Sequence, residues 1–322
     1  MSSDAELVER ARRLEKYPIA RLISLFEDET DKARARRALV LRLLGEGRHA
    51  IVVGLTGTPG SGKSTLIGRL ALELFARDAG MAVAVLAIDP SSEVSGGALL
   101  GDRVRTDFPV GEQRLYFRSQ AAGGDLGGVG RRTFAATRVL SRLFDLILIE
   151  TVGIGQSEIE IRRLADRVLL VLQPLAGDHV QFLKAGVMEI PDAYVINKCD
   201  ETQLARRALG ELRSALRSSG LGGAGTKKDT ILSTSATTGR GVPELADWVL
   251  AQRAVPPAPA AAHARDVFYL RKEIARAYGG FGIDELERAV KDGSLARLAR
   301  DPAWFEAAEA EVLRRIRARL RD

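Results

Sequence analysis

Three short stretches place polar residues where apolar runs end, and each suits a different part of a nucleotide. "GTPGSGKS" (57–64) matches G-x-x-x-x-G-K-[ST] between a strand-like run and a helix-like one. Gly57, Gly60 and Gly62, with Ser61 in the same turn, let backbone N–H groups face phosphate oxygens. The start of the following helix adds positive potential there. In such a cradle Lys63 would reach the β- and γ-phosphates, Ser64 would bind Mg²⁺ through its hydroxyl, and Thr65 would touch the α-phosphate. The plain alternative is a Gly-rich turn with an incidental lysine, and the strand–loop–helix context argues against it.

"INKCD" (196–200) closes a later apolar run. An ionised aspartate only accepts hydrogen bonds, so Asp200 can take both neighbouring donors of guanine, N1–H and the exocyclic amine. Adenine would set a lone pair against that carboxylate, and a polar site rejects such a mismatch. The stem of Lys198 would lie over the base, and Asn197 would tie this loop to the phosphate cradle. "TSA" (234–236) sits where a second guanine loop falls, with Ser235 in it and the Ala236 backbone facing the base oxygen.

Acidic residues supply the third part. Asp89 and Glu150 end apolar runs, and Asp102 lies in a glycine-bounded loop. The three carboxylates can converge on one Mg²⁺, some of them through water. A charge ending an apolar strand is costly unless something positive meets it. In "LILIETVGIGQSE" (146–158), Glu150 can sense the metal shell, Thr151 and Gly153 can bring N–H groups to the γ-phosphate, and Gln156 can orient an attacking water. Lys63, Glu150 and Gln156 are therefore the catalytic candidates. "QPLAGDHVQFLKAGVMEI" (173–190) reads as a further mobile segment, or more plainly as a connecting helix.

The elements that must position these residues follow from the pattern of apolar runs. "AIVVGL" (50–55), "MAVAVLAI" (81–88), "DLILI" (145–149), "RVLLVL" (167–172), "AYVI" (193–196) and "TILSTSA" (230–236) suit strands of a mostly parallel sheet, flanked by helices. Residues 4–46 show helical periodicity, "VPPAPAAAHA" (255–264) reads as a linker, and the tail is helical with a break at "GGFG" (279–282). The expectation is an α/β nucleotide-binding domain over 48–252, a helical arm over 1–47, and a linker with a second helical arm over 253–322. No apolar run is long enough to span a bilayer, and the charged N-terminus is unlike a secretory signal. One cysteine, Cys199, rules out an internal disulfide and fits a reducing cytoplasm. The net charge of +6 is a mild excess spread over helical patterns, and aromatics are only 5%, so a nucleic-acid surface is not expected. His49, His179 and His263 match no metal spacing.

"GTPGSGKST", "DPSS…GGALLGDRVR", "FRS…LGGV", "ETVGIGQSE", "GDHVQFLKAGVMEIPD" and "NKCD" occur in this order, and with them the chain resembles the MeaB/ArgK-type GTPases. The resemblance runs from roughly residue 15 to 252. It implies a P-loop GTPase with slow hydrolysis of GTP to GDP that a partner accelerates, and a homodimer. It also implies a chaperone of adenosylcobalamin-dependent acyl-CoA mutases such as methylmalonyl-CoA mutase, gating cofactor loading and protecting the mutase. Phosphate and metal roles follow for Lys63, Ser64, Asp89, Asp102 and Glu150, and guanine roles for Asn197, Lys198 and Asp200. The chain departs from the family pattern at Glu93-Val94-Ser95, at Asp125, and beyond the "PPAP" linker. Two alternatives are a kinase linked to basic amino-acid transport, for which no phosphoacceptor pocket is visible, and a nickel-insertion GTPase, which would need richer His or Cys sites.

Overall fold

A computed structural model of the chain describes residues 3–45, 47–89, 111–121, 129–151, 157–174, 189–218, 230–255 and 258–321. They fall into two compact units. One comprises Ala50–Thr133 and Phe144–Pro256, and the other Met1–His49, Phe134–Leu143 and Pro257–Asp322.

The first unit holds a seven-stranded sheet of β1 (Ile51–Gly57), β2 (Val83–Asp89), β3 (Leu115–Ala121), β4 (Leu146–Glu150), β5 (Arg167–Leu172), β6 (Ala193–Ile196) and β7 (Ile231–Ser233). The order is β3-β2-β4-β1-β5-β6-β7, and every pairing is parallel. Helices cover both faces, as the unbroken apolar runs require. On one face Val53, Leu55, Val85, Leu148, Leu169 and Val171 pack with Leu66, Leu70 and Leu74 of α4 (Lys63–Arg77) and Leu245 and Val249 of α8 (Val242–Arg253). On the other, Leu170, Leu172, Tyr194 and Ile196 meet Ala208, Leu212 and Leu216 of α7 (Thr202–Ser218). The α7 residues recur at helical spacing, and the strand residues alternate between faces. Each fully buried Leu or Val contributes about 1.5–3 kcal/mol.

The second unit is helical. It contains α1 (Asp4–Arg12), α2 (Lys16–Glu27), α3 (Asp31–Leu44), most of α5 (Arg131–Leu140), α9 (Pro259–Lys291) and α10 (Trp304–Arg319). Ser3 and Thr30 cap α1 and α3 by accepting the N–H groups of Glu6 and Ala33. The Arg138 guanidinium donates both its Nη groups to Glu306, which is 3% exposed, and stands over the Phe305 ring. Arg37 donates to Glu309 at 3.1 Å and to the Phe26 carbonyl at 3.2 Å. Partners of this kind are what allow ionised groups to be buried.

Three expectations change. β3 was not expected, because Arg118, Ser119 and Gln120 interrupt its apolar residues; it lies at the sheet edge, where one side needs no strand partner. The linker ends early, since α9 starts at Pro259, where proline suits a first helical turn and the alanines continue the helix. The last expected strand contracts to Ile231–Ser233, and its remainder forms a loop. The glycine break is present: Gly279 has φ 58° inside α9.

Gly54 lies mid-β1, where a Cβ would come 2.3 Å from Ile161 Cγ1 of α6 (Ser157–Leu164). Gly54→Ala should lower unfolding stability by about 1–3 kcal/mol through overpacking. Adding Ile161→Ala should give less than the sum of the two single losses in urea titrations, because the small side chain relieves the clash.

Candidate functional site

The site is built on strand ends at the carboxyl edge of the sheet, where open α/β folds receive ligands. β1 stops at Gly57, whose φ is 143°, and a Cβ there would lie 1.9 Å from the Val171 carbonyl of β5. The chain then turns through residues 58–62 into α4. Gly62 occupies the cap position with φ 83°, and no side chain caps the helix. The first N–H groups of α4 therefore have no intrahelical acceptor and point out of its N-terminus. Ser61 is fully buried, and its hydroxyl and that of Thr58 have no hydrogen-bond partner among the described residues. Lys63 is 6% exposed and donates to the Gly57 and Thr58 carbonyls, each at 3.1 Å. Uncapped N–H groups at a helix start and a buried ammonium thus share one short turn, the candidate phosphate cradle.

Next to it, Ser64 donates its hydroxyl to Glu150 Oε1 at 2.7 Å. Parallel pairing puts Glu150 opposite Leu55 of β1 and Ala87 of β2. Glu150 is only 8% exposed, so strand order brings a carboxylate to the helix start that the sequence places 86 residues away. Thr151 follows, its N–H bonded to the Leu55 carbonyl at 3.1 Å and its hydroxyl to Thr56 Oγ1 at 3.1 Å. β2 ends at Asp89, of which only the backbone is described. Asp102, Gly153, Gln156 and positions 175–188 lie outside the described residues. No group of three or more His, Cys, Asp or Glu able to hold a metal occurs among those described.

The third part forms at the ends of β6 and β7. Asn197 is 1% exposed; its Nδ2 donates to the Ser61 carbonyl at 2.8 Å. Its Oδ1 accepts from Thr234 Oγ1 at 3.1 Å and from the Ala236 N–H at 3.2 Å. Of the Ala236 backbone, expected to contact a base oxygen, the N–H is bonded to Asn197. Lys198 has φ 61°, unusual for a residue with a Cβ, and its Nζ donates to Gln173 at 3.1 Å. Cys199 is buried with its thiol near the Ile196 carbonyl, and that burial pushes the thiol pKa up. It acts as a small apolar residue rather than a nucleophile. Asp200 is exposed, and its Oδ1 accepts from Ser235 at 2.7 Å and from Thr237 at 2.8 Å. These two hydroxyl donors, Ser235 first, hold the carboxyl below its usual pKa. Thr237 is a participant that the sequence reading did not single out. A threonine after "TSA" carries no signal of its own until the loop geometry turns its hydroxyl back to Asp200.

The family model for methylmalonyl-CoA mutase-associated GTPase MeaB matches residues 19–271. A Pyrococcus abyssi protein provisionally named a GTPase is 38% identical over 303 residues, covering 92% of this chain and 90% of that protein. The mitochondrial methylmalonic aciduria type A homolog of Caenorhabditis briggsae is 36% identical over 213 residues, covering 62% of this chain and 52% of that one. The crystal structure of an LAO/AO transport system kinase superposes with a TM-score of 0.62 at 23% identity, covering 99% of this chain and 98% of that one, a likeness of fold. The fold is that of P-loop nucleoside triphosphatases, and the match over 19–271 establishes that the chain belongs to the MeaB family of mutase-associated GTPases.

Proposed function

We propose that this chain binds GTP with Mg²⁺, hydrolyses it slowly to GDP and phosphate, and serves as a chaperone of an adenosylcobalamin-dependent acyl-CoA mutase. The observation that carries the nucleotide reading is the preset Asp200 carboxylate, with Asn197 joining its loop to the phosphate cradle. Two hydroxyls fix Oδ1 in place and keep the group ionised, so its lone pairs await a pair of donors such as the N1–H and amine of guanine.

In this reading Gly57, Gly60, Ser61, Gly62 and Thr65 surround the phosphates, and Gly153 adds an N–H at the γ-phosphate. Lys63 exchanges its two loop carbonyls for β- and γ-phosphate oxygens, which offer it full negative charge. Ser64 and Glu150 fit a hard cation, being oxygen donors already 2.7 Å apart beside the cradle. Asp89 and Asp102 complete that acidic set. Bound Mg²⁺ supplies charge neutralisation at the phosphates. Gln156 orients the water that attacks the γ-phosphorus in line with the departing GDP. Lys198 lies along the base, and Ser235 and Ala236 line its edge.

The mutase role draws on the family that the chain belongs to and on the relative named for methylmalonic aciduria. The chain would act in the cytoplasm as a homodimer, with residues 253–322 as the pairing arm, and mutase binding would accelerate GTP turnover. GTP hydrolysis measured with and without purified methylmalonyl-CoA mutase tests this. A several-fold acceleration that depends on the mutase is expected, and rates unchanged from the mutase-free rate with methylmalonyl-CoA mutase and each of its close relatives would remove the chaperone reading.

Two substitutions test the nucleotide reading. Asp200→Asn should weaken GTP binding roughly 100-fold and improve xanthosine triphosphate binding, because an amide presents one donor and one acceptor. Unchanged nucleotide ranking in calorimetry would refute guanine selection. Lys63→Ala should weaken GTP and GDP binding about 10- to 100-fold, the loss of charge-assisted hydrogen bonds, while far-UV circular dichroism stays that of the wild type. Undiminished affinity would remove the phosphate-loop assignment.

A further inference from the structure

We propose that Arg69 is a positioning residue for guanine recognition, linking the helix that begins at the phosphate loop to the loop that holds Asp200. The inference rests on the GTP reading above and adds a determinant of base selection to it. Arg69 lies on α4, six residues beyond Lys63 in the same helix. Its Nε donates to the Ala236 carbonyl at 3.0 Å and its Nη2 to the Thr237 carbonyl at 3.3 Å. A planar guanidinium can bridge two successive carbonyls in this way, whereas a lysine ammonium is a single point.

What Arg69 holds is the loop that fixes the base-reading carboxylate. Thr237 donates its hydroxyl to Asp200 Oδ1 at 2.8 Å, one of the two bonds that orient that group. Ala236 is clamped at both its backbone groups: Asn197 takes the N–H at 3.2 Å and Arg69 the carbonyl. Asn197 itself reaches the phosphate loop at the Ser61 carbonyl. The base loop is therefore tied to the phosphate side twice, through Asn197 and through α4 by way of Arg69. Without Arg69 the Thr237 end of the loop loses that tie. Asp200 then keeps the Ser235 bond and loses a fixed partner in Thr237, so its two oxygens are less well set for two donors at once.

The test compares GDP with IDP, which lacks the exocyclic amine and so forfeits one of the two donors that Asp200 would accept. Affinities are measured by calorimetry for wild type, Arg69→Ala, Arg69→Lys and Thr237→Val, with ADP as the base control and thermal melting of each nucleotide-free protein. Arg69→Ala should bind GDP about tenfold more weakly, the scale of a lost charged hydrogen bond. It should also lower the preference for GDP over IDP by about threefold or more, with melting near that of the wild type. Arg69→Lys should fall between the two. Thr237→Val should lower the same preference, and the double variant should lose less than the two combined, because both act along one path. An Arg69→Ala protein that melts earlier but keeps the wild-type ratio of GDP to IDP affinity would make Arg69 scaffold only and overturn the proposal. Full retention of that ratio by Arg69→Lys would overturn the two-carbonyl fork. A wild type that prefers GDP to ADP, with an unchanged Arg69→Ala ratio, sinks this inference alone. A wild type with no such preference sinks the GTP reading with it.

Discussion

The side-chain amide of Asn197 is hydrogen-bonded to two different loops at once. Its Nδ2 meets the Ser61 carbonyl of the phosphate cradle, and its Oδ1 meets the Thr234 hydroxyl and the Ala236 N–H of the loop after β7. The group is almost wholly buried, so any unmet donor or acceptor would cost about 1–3 kcal/mol. That penalty holds the two loops in one register. Gly62 has to be glycine for the same reason, since a Cβ there would stand 2.7 Å from Asn197 Nδ2. Only an asparagine or its close equivalent offers a donor and an acceptor on one rigid fork at this reach.

The parallel sheet makes that bond possible. β1, β5, β6 and β7 are consecutive neighbours, so their carboxyl ends emerge side by side. The phosphate cradle follows β1, the Asn197 loop follows β6, and the Thr234 loop follows β7. On the other side of β1 lies β4, which delivers Glu150 to Ser64. Gly57 admits the close approach of β1 to β5 that keeps this edge compact. The result sets the Glu150 carboxylate on one side of the turn after β1 and the Asn197 and Thr234 loops on the other.

Several polar contacts at the site occupy groups that a nucleotide and its metal would claim in the proposed reading. Lys63 rests on loop carbonyls, Ser64 on Glu150, and the Ala236 N–H on Asn197. The Lys63 and Ser64 contacts can be exchanged for partners of higher charge without moving a strand, whereas the Asn197 bond to Ala236 joins two loops. By contrast, Thr58 and Ser61, both in the turn after β1, have buried hydroxyls with no partner among the described residues. Asp200 is pre-oriented rather than occupied, because both its hydroxyl partners sit on one oxygen.

The class of fold, and the residue types that make the loops candidates for nucleotide binding, were legible in the chain. A Gly-rich loop ending in Lys63 and Ser64, an Asn-Lys-x-Asp after an apolar strand, and carboxylates ending such strands are local patterns, because backbone freedom, donor count and charge belong to the residue. Five apolar runs likewise revealed buried parallel strands, since such strands are apolar on both faces, while "TILSTSA" holds only the short, half-buried β7. The tertiary structure decided the rest. β3 was invisible because an edge strand tolerates Arg118 and Gln120. The helix beginning at Pro259 read as linker because alanine and proline composition does not distinguish a first helical turn from an extended tether. The partners of Asp200 could not be read from the chain, for Thr237 and Arg69 become relevant only where strand order sets α4 beside the β7 loop. Hydrogen bonds between segments more than a hundred residues apart, such as Asn197 to Ser61 and Arg69 to Ala236, depend on strand order and loop path, and no local propensity encodes them.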